Sequence, residues 1–257
     1  MALVSFAQDS TQTRLNTKSD RKEAHRERIN ALIKQSEEGV LVYSKQYIFG
    51  IQLRTNGYGA FYELGRMKTA RKTTIYRIDF NEIKSPKEEK LPNSSFFFGN
   101  SFVYGKINYF YPVTLGIGQQ YILGQKGNKN GVAVSAIGEA GISLGLLRPY
   151  YIDVIDSTGN SVAVKYNSSD SSSFLDVTRI SGGSGFSKGW NEIKLKPGGF
   201  AKAALRFDYG RFNEVVSGIE IGISMEAYAQ KIPIMVFEKA RQFFFQGYIS
   251  ILFGKRK

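Results

Sequence analysis

From about Lys45 to the end of the chain, apolar and polar residues alternate with a period of two. The segments are near the ~10-residue length of a tilted membrane strand. A helix repeats every 3.6 residues, so this pattern specifies strands with one apolar and one polar face. In "KQYIFGIQLR", Tyr47, Phe49, Ile51 and Leu53 share one face, and Gln46, Gly50, Gln52 and Arg54 the other. In the closing "QFFFQGYISILFGKRK", Phe243, Phe245, Ile249, Ile251 and Phe253 oppose Gln246, Tyr248 and Ser250.

Six further segments behave alike. Tyr58, Ala60, Tyr62 and Leu64 oppose Gly59, Phe61, Glu63 and Gly65, and Tyr76, Ile78 and Phe80 oppose Arg77, Asp79 and Asn81. Val113, Leu115 and Ile117 oppose Thr114, Gly116 and Gly118, and Ala140, Ile142 and Leu144 oppose Glu139, Gly141 and Ser143. Ala203, Leu205 and Phe207 oppose Lys202, Arg206 and Asp208, and Ile219, Ile221, Ile223 and Met225 oppose Glu220, Gly222, Ser224 and Glu226. Short turns are expected at Thr55-Asn56-Gly57 and near 68–71, 125–130 and 210–213, with long loops at 84–107, 151–198 and 231–241. After the first hairpin, short and long connections alternate. An up-and-down barrel with both ends in the periplasm has this order, short turns inside and long loops outside.

A soluble barrel also alternates, but points its apolar face inward. Three features favour the inverted arrangement. Aromatic residues (Tyr47, Tyr58, Tyr109, Tyr121, Phe207, Tyr209, Phe253) mark the ends of the apolar faces, as interfacial girdles do. The polar face is rich in Gly, Ser, Thr and Gln with few Lys. Its charges are of both signs: Glu63, Arg77, Asp79, Glu139, Lys202, Arg206, Asp208, Glu220 and Glu226. These can pair in a narrow lumen, where an unpaired charge is costly. The expected fold is an all-β, eight-stranded antiparallel transmembrane up-and-down β-barrel over 45–257, preceded by a short N-terminal helix.

The terminal "GYISILFGKRK" resembles the last strand of outer-membrane barrels, which the barrel-assembly machinery recognises during biogenesis. The block "YGKINYFYPVTLGIGQQYILGQKGNKNGVAVSAIGEAGISLGLLRPYY" resembles small outer-membrane proteins of Bacteroidota-type Gram-negative envelopes. The resemblance spans roughly residues 40–257 and implies an outer-membrane location, with no activity attached. One departure is that Phe253 is followed by Gly-Lys-Arg-Lys rather than ending the chain.

Ahead of the barrel, "ALVSFAQ" looks like the end of a signal peptide with a small-residue cleavage site, so 1–18 is expected to be a signal-peptide remnant and a disordered lead. Residues 19–44 are expected to hold a periplasmic helix and linker: Asp20 with Glu23 forms a capping box, and Ala24, Ile29, Leu32 and Ile33 form a thin apolar stripe.

The chemistry is sparse. With no Cys, thiolate nucleophiles, disulfides and zinc–thiolate sites are excluded. The one His, His25, precedes the barrel, so a His-based triad inside the barrel is not available from these residues. Asp153 and Asp156 fit a β-turn better than a carboxylate pair, and "GGSGFSKG" lacks phosphate-loop spacing. "SSDSSS" has the composition of a low-complexity loop. No cofactor and no metal are expected, and no enzyme. The net charge of +13 raises nucleic acid as a partner, but Lys and Arg lie mostly outside the alternating segments, so nucleic acid is not expected.

Lys84, Lys87, Lys90, Lys188, Lys194, Lys196, Lys231, Lys239 and Arg241 fall in the expected outer loops, as candidate contacts to lipid and lipopolysaccharide phosphates. The leading expectation is a structural or accessory barrel that docks an envelope protein partner. The alternatives are a barrel that binds or modifies lipid or lipopolysaccharide, and a narrow channel.

Overall fold

The computed structural model describes residues 43–92, 101–127, 130–167, 171–210 and 214–257, together with Glu23 and Arg26, which are helical and exposed. Apart from those two, the expectations for 1–18 and 19–44, His25 included, lie outside the described residues.

Eight long antiparallel strands close into a barrel. They are β1 (Lys45–Arg54), β2 (Gly57–Thr69), β3 (Lys72–Ile83), β6 (Asn108–Gly124), β7 (Ala133–Pro149), β11 (Lys194–Asp208), β12 (Val215–Ile232) and β13 (Arg241–Arg256). Each pairs with its neighbour in the chain, and β1 closes on β13 from Gln46↔Arg256 to Arg54↔Tyr248. Closure leaves no edge strand with unpaired backbone groups, which a lipid environment requires.

Exposure follows the pleat. In β1, Lys45, Tyr47, Phe49, Ile51 and Leu53 are exposed, and the residues between them are buried. In β13, Phe243, Phe245, Ile249, Ile251 and Phe253 face outward, while Phe244, Gln246, Tyr248, Ser250 and Leu252 are buried. Phe245 is 71 % exposed, Ile142 65 % and Ile117 61 %. Large exposed apolar side chains recur on all eight strands. Soluble proteins rarely leave so large a contiguous apolar surface in water. The arrangement is that of a membrane-spanning barrel.

The strands run from 10 to 18 residues. At about 3.3 Å per residue, the longer ones exceed the ~25 Å apolar band even when tilted. At the end carrying the long connections they rise beyond the band and support a folded cap. The cap contains β4 (Lys90–Leu91) paired with β5 (Phe102–Val103), and a three-stranded sheet of β10 (Ile180–Gly183), β8 (Tyr151–Ile155) and β9 (Ser161–Lys165). It also holds a helical turn, Ser171–Leu175, and a 3-10 turn, Trp190–Glu192. The low-complexity stretch read as loop thus ends in helix.

This cap has its own core. Phe102, Tyr150, Ile152, Phe174, Ile180 and Met235 pack onto inward-facing Ile83, Phe110, Leu147, Tyr228, Ile232 and Phe244 at the outer ends of the barrel strands. The long loops are therefore a hydrophobic lid over one mouth.

One correction concerns these connections. Lys194, Lys196, Lys231 and Arg241, expected in loops, lie on the outer ends of β11, β12 and β13. Lys90 lies on the short β4 within its connection.

An outward charge near mid-strand tests the orientation. Ile251→Arg should cost about 2–4 kcal/mol in folding from urea into lipid vesicles. A substitution there with no effect would contradict an acyl-facing surface.

Candidate functional site

Two regions concentrate polar chemistry, the lumen and the outer mouth. The lumen exists because the polar face of every strand is turned into a closed space. At its centre Arg77 lies 2.8 Å from Glu220, 3.3 Å from Asp79 and from Glu139, and 3.6 Å from Glu63. Arg206 bridges Glu63 and Glu220 at 2.6 Å each, and Lys202 reaches Asp79 at 2.6 Å. Six of these groups oppose one another in three pairs across adjacent strands: Glu63↔Arg77, Arg206↔Glu220 and Lys202↔Glu139. Amides and a phenol fill remaining hydrogen bonds. Gln46 donates to Glu63 and Gln120, Gln52 donates to Asp79, and the Tyr248 hydroxyl donates to Glu220.

Glu226 and Asp208 sit apart from this cluster. Glu226 pairs with Arg54 at 2.7 Å and accepts from the Tyr228 hydroxyl. Asp208, at the mouth nearer the chain end, pairs with Arg256 at 2.6 Å and Lys126 at 3.5 Å. The lumen thus sets six cations (Arg54, Arg77, Lys126, Lys202, Arg206, Arg256) against six carboxylates. Arg54, Lys126 and Arg256 were not singled out in the sequence. Arg256 carries a signal for this: it lies in phase with Gln246, Ser250 and Leu252 on the inward face.

Aromatic rings occupy the space left by inward glycines. Each of four glycines has an aromatic residue as its direct cross-strand partner: Gly50↔Phe61, Gly141↔Phe200, Gly198↔Tyr228 and Gly222↔Tyr248. A Cβ at Gly50 would come within 2.4 Å of the Phe61 ring. That ring in turn carries the Arg77 guanidinium 3.5 Å above its centroid. The glycines therefore make room for the platforms on which the charges rest, rather than for a water-filled bore. The carboxylates are all engaged by cations, and among the described residues no cluster of metal-ligating side chains occurs.

The outer mouth differs in character. Lys106 is buried at its edge, donates to Glu88 at 2.7 Å and lies 4.2 Å above the Tyr109 ring. Burial holds its ammonium below the usual lysine range, and Glu88 pulls the other way. On the outside of β7, Arg148 is enclosed by Tyr109, Phe186 and Trp190, with its carbon centre 4.3–4.7 Å from their ring centroids. It donates to the Phe186 carbonyl, tying the 184–192 loop to the barrel wall.

The nine basic residues proposed as phosphate contacts do not converge on one site. Lys84 lies 3.9 Å from Glu82 and above the Tyr58 ring, and Arg241 is bound to Glu238. Lys84, Lys239 and Arg241 line one small cleft, and Lys87 borders another beside Tyr104 and Phe237. Lys188 lies by Trp190, and Lys90 is exposed on β4. Lys194, Lys196 and Lys231 gather around a recess of about 430 Å³ that also includes Lys165. Asp153 accepts from the Ser184 hydroxyl, and Asp156 accepts from the Ser157 amide at the β8–β9 turn. Asp156 serves the turn as expected, whereas Asp153 lies within β8 and ties it to the segment after β10.

No protein-family model and no curated protein matches the chain. Among solved structures, Ail, the attachment invasion locus protein of Yersinia pestis, is similar at 13 % identity and TM-score 0.41, covering 84 % of this chain and all of that one. Ail in complex with the heparin analogue sucrose octasulfate is similar at 11 % identity and TM-score 0.39, over 84 % of this chain and all of that one. Neisserial surface protein A is similar at 11 % and 0.37, over 83 % of this chain and 96 % of that one. The eight-stranded closure described above rests on this chain's own strand pairing.

Removing one member of the central cluster leaves its partners buried and uncompensated. Arg206→Gln should cost about 3–5 kcal/mol, read as a lower urea midpoint and as earlier loss of the compact, heat-sensitive band on gels. Lys188→Gln, in the exposed loop, should change neither.

Proposed function

We propose that the chain is a non-enzymatic outer-membrane barrel that anchors a folded outer cap, and that this cap docks a protein partner of the envelope or cell surface. The observation behind this reading is the contrast between the two ends. The lumen is committed to internal ion pairs, whereas the outer connections form a structured unit with a hydrophobic core. A loop set that only joined strands would not need Phe102, Tyr150, Phe174 and Ile180 buried together. Three further features support placement in the outer membrane: a strand-built span, a closed ladder, and short turns at one end with long connections at the other.

An enzymatic role finds little support. Glu63, Asp79, Glu139 and Glu220 are each held by Arg77, Arg206 or Lys202, so none is set up as a free general base. A channel role finds little either, because the charge cluster, Phe61, Phe200 and Tyr248 share the bore and the cap core covers one mouth.

In planar bilayers the protein should give no stable porin-sized steps. Such steps at neutral pH would contradict a filled lumen. In native membranes, photo-crosslinkers on the exposed cap positions Val162 and Val177 should capture one recurrent protein species. Equivalent crosslinkers at Gly127, in a turn at the opposite end, should not capture it. Crosslinking only to lipid from the cap would contradict the docking role.

A further inference from the structure

The charge distribution at the outer mouth departs from the rest of the barrel in one place. In the lumen every cation has a carboxylate within 3.5 Å. At the outer end Lys106 and Arg241 have theirs, and Lys84 lies 3.9 Å from Glu82. Between the ends of β7, β11 and β12 and the β9 strand, four lysines share one recess with a single carboxylate, Glu192. That carboxylate is already engaged: Lys165 donates to it, and the Tyr151 hydroxyl donates at 2.5 Å. These two donors hold the Glu192 carboxyl below its usual range. Lys196 donates to the Gln230 side chain, which is neutral. Lys194 and Lys231 form no ion pair among the described residues, and both are exposed.

Bringing like charges together costs Coulomb energy, and the rest of this barrel avoids that arrangement. The backbone imposes it here. Lys194 and Lys196 are two residues apart on β11 and so share a face, and the outer end of β12 delivers Lys231 to the same recess. The rest of the lining is uncharged and mostly apolar: Ile107, Leu147, Pro149, Tyr166 and Pro233, with Asn108 among them. A volume of about 430 Å³ falls within the range of small-ligand sites and far exceeds what a bare phosphate fills.

We infer that this recess is a binding site for a phosphorylated sugar, with Lys194, Lys196 and Lys231 on the phosphate and the Tyr166–Pro233 wall against the sugar ring. Ammonium groups are point-charge phosphate ligands, and the apolar wall suits the C–H face of a hexose. The site lies on the same end as the proposed docking cap but needs neither a protein partner nor a membrane to bind. The phosphorylated sugar has two sources, a soluble hexose phosphate or the phosphorylated headgroup of a glycolipid.

The test uses full-length protein in detergent. Trp190 is the sole tryptophan and lies two residues from Glu192, so its fluorescence reports occupancy alongside calorimetry. Glucose 1-phosphate should bind saturably and glucose should not. Inorganic phosphate should bind at least tenfold more weakly. The K194Q/K231Q double variant should lose at least tenfold in affinity, K194R/K231R should retain it, and K188Q should be unaffected. Unchanged heat-modifiable gel mobility separates loss of the site from loss of the fold.

Nanodiscs containing phosphorylated lipid A then assign the source. Blocked glucose 1-phosphate binding identifies the headgroup, and unaffected binding identifies the soluble sugar. No saturable binding of glucose 1-phosphate, or equal affinity for inorganic phosphate, or equal affinity in K194Q/K231Q, overturns the inference.

Discussion

An apolar belt facing acyl chains leaves the polar half of every strand nowhere to go but inward. Closure of β1 on β13 leaves the barrel no edge strand with unpaired backbone groups. Each charged side chain on the inner face must then be compensated within a narrow space, where an isolated ion is far costlier than in water. The rest of the structure follows from that constraint. Six cations meet six carboxylates, and no described carboxylate in the lumen is left for other work. A protein built this way has its interior spent on holding itself together, so its function is sought at its ends.

The same constraint explains the glycines. Eight strands enclose about the volume that side chains fill. Arginines with their carboxylates are bulky, and rings that support them need a neighbour without a side chain. Phe61 over Gly50 and Tyr248 over Gly222 meet that need across adjacent strands, and the Phe200 ring reaches over Gly116. These pairs also hold register, since a slip of one residue would turn the ring into lipid and leave the glycine opposite nothing.

The strands were legible because one face is almost purely apolar. Phe49, Ile51 and Leu53, or Ile249, Ile251 and Phe253, leave no ambiguity about period. The inner face was legible for the same reason, down to its charged residues, but which of them meet, as in Glu63↔Arg77 and Arg206↔Glu220, is set by strand register. Continuing the polar face from Ser250 through 252 and 254 would have brought in Arg256, which looks in sequence like part of a basic tail. Arg54 was legible on the same face as Gln46 and Gln52, but its place beside the first turn kept it out of the expected charge network. The cap was not legible. Phe102, Tyr150, Phe174, Ile180 and Met235 have no common period, and they meet only because the barrel brings three separate connections over one mouth. Lys194, Lys196 and Lys231 were visible as charges, but their convergence depends on β11 and β12 being neighbours above the apolar band.

The direct test of the inverted arrangement is residue-by-residue accessibility along β13. The chain has no cysteine, so single cysteines can be placed from Phe243 to Phe253 and spin-labelled in lipid vesicles. Oxygen, which concentrates in the acyl region, should relax the labels at 243, 245, 249, 251 and 253 strongly. A water-soluble nickel chelate should not, and labels at the intervening positions should respond weakly to both. If instead the odd-numbered positions collide with the nickel chelate and not with oxygen, the apolar face is not in the bilayer and the account is wrong.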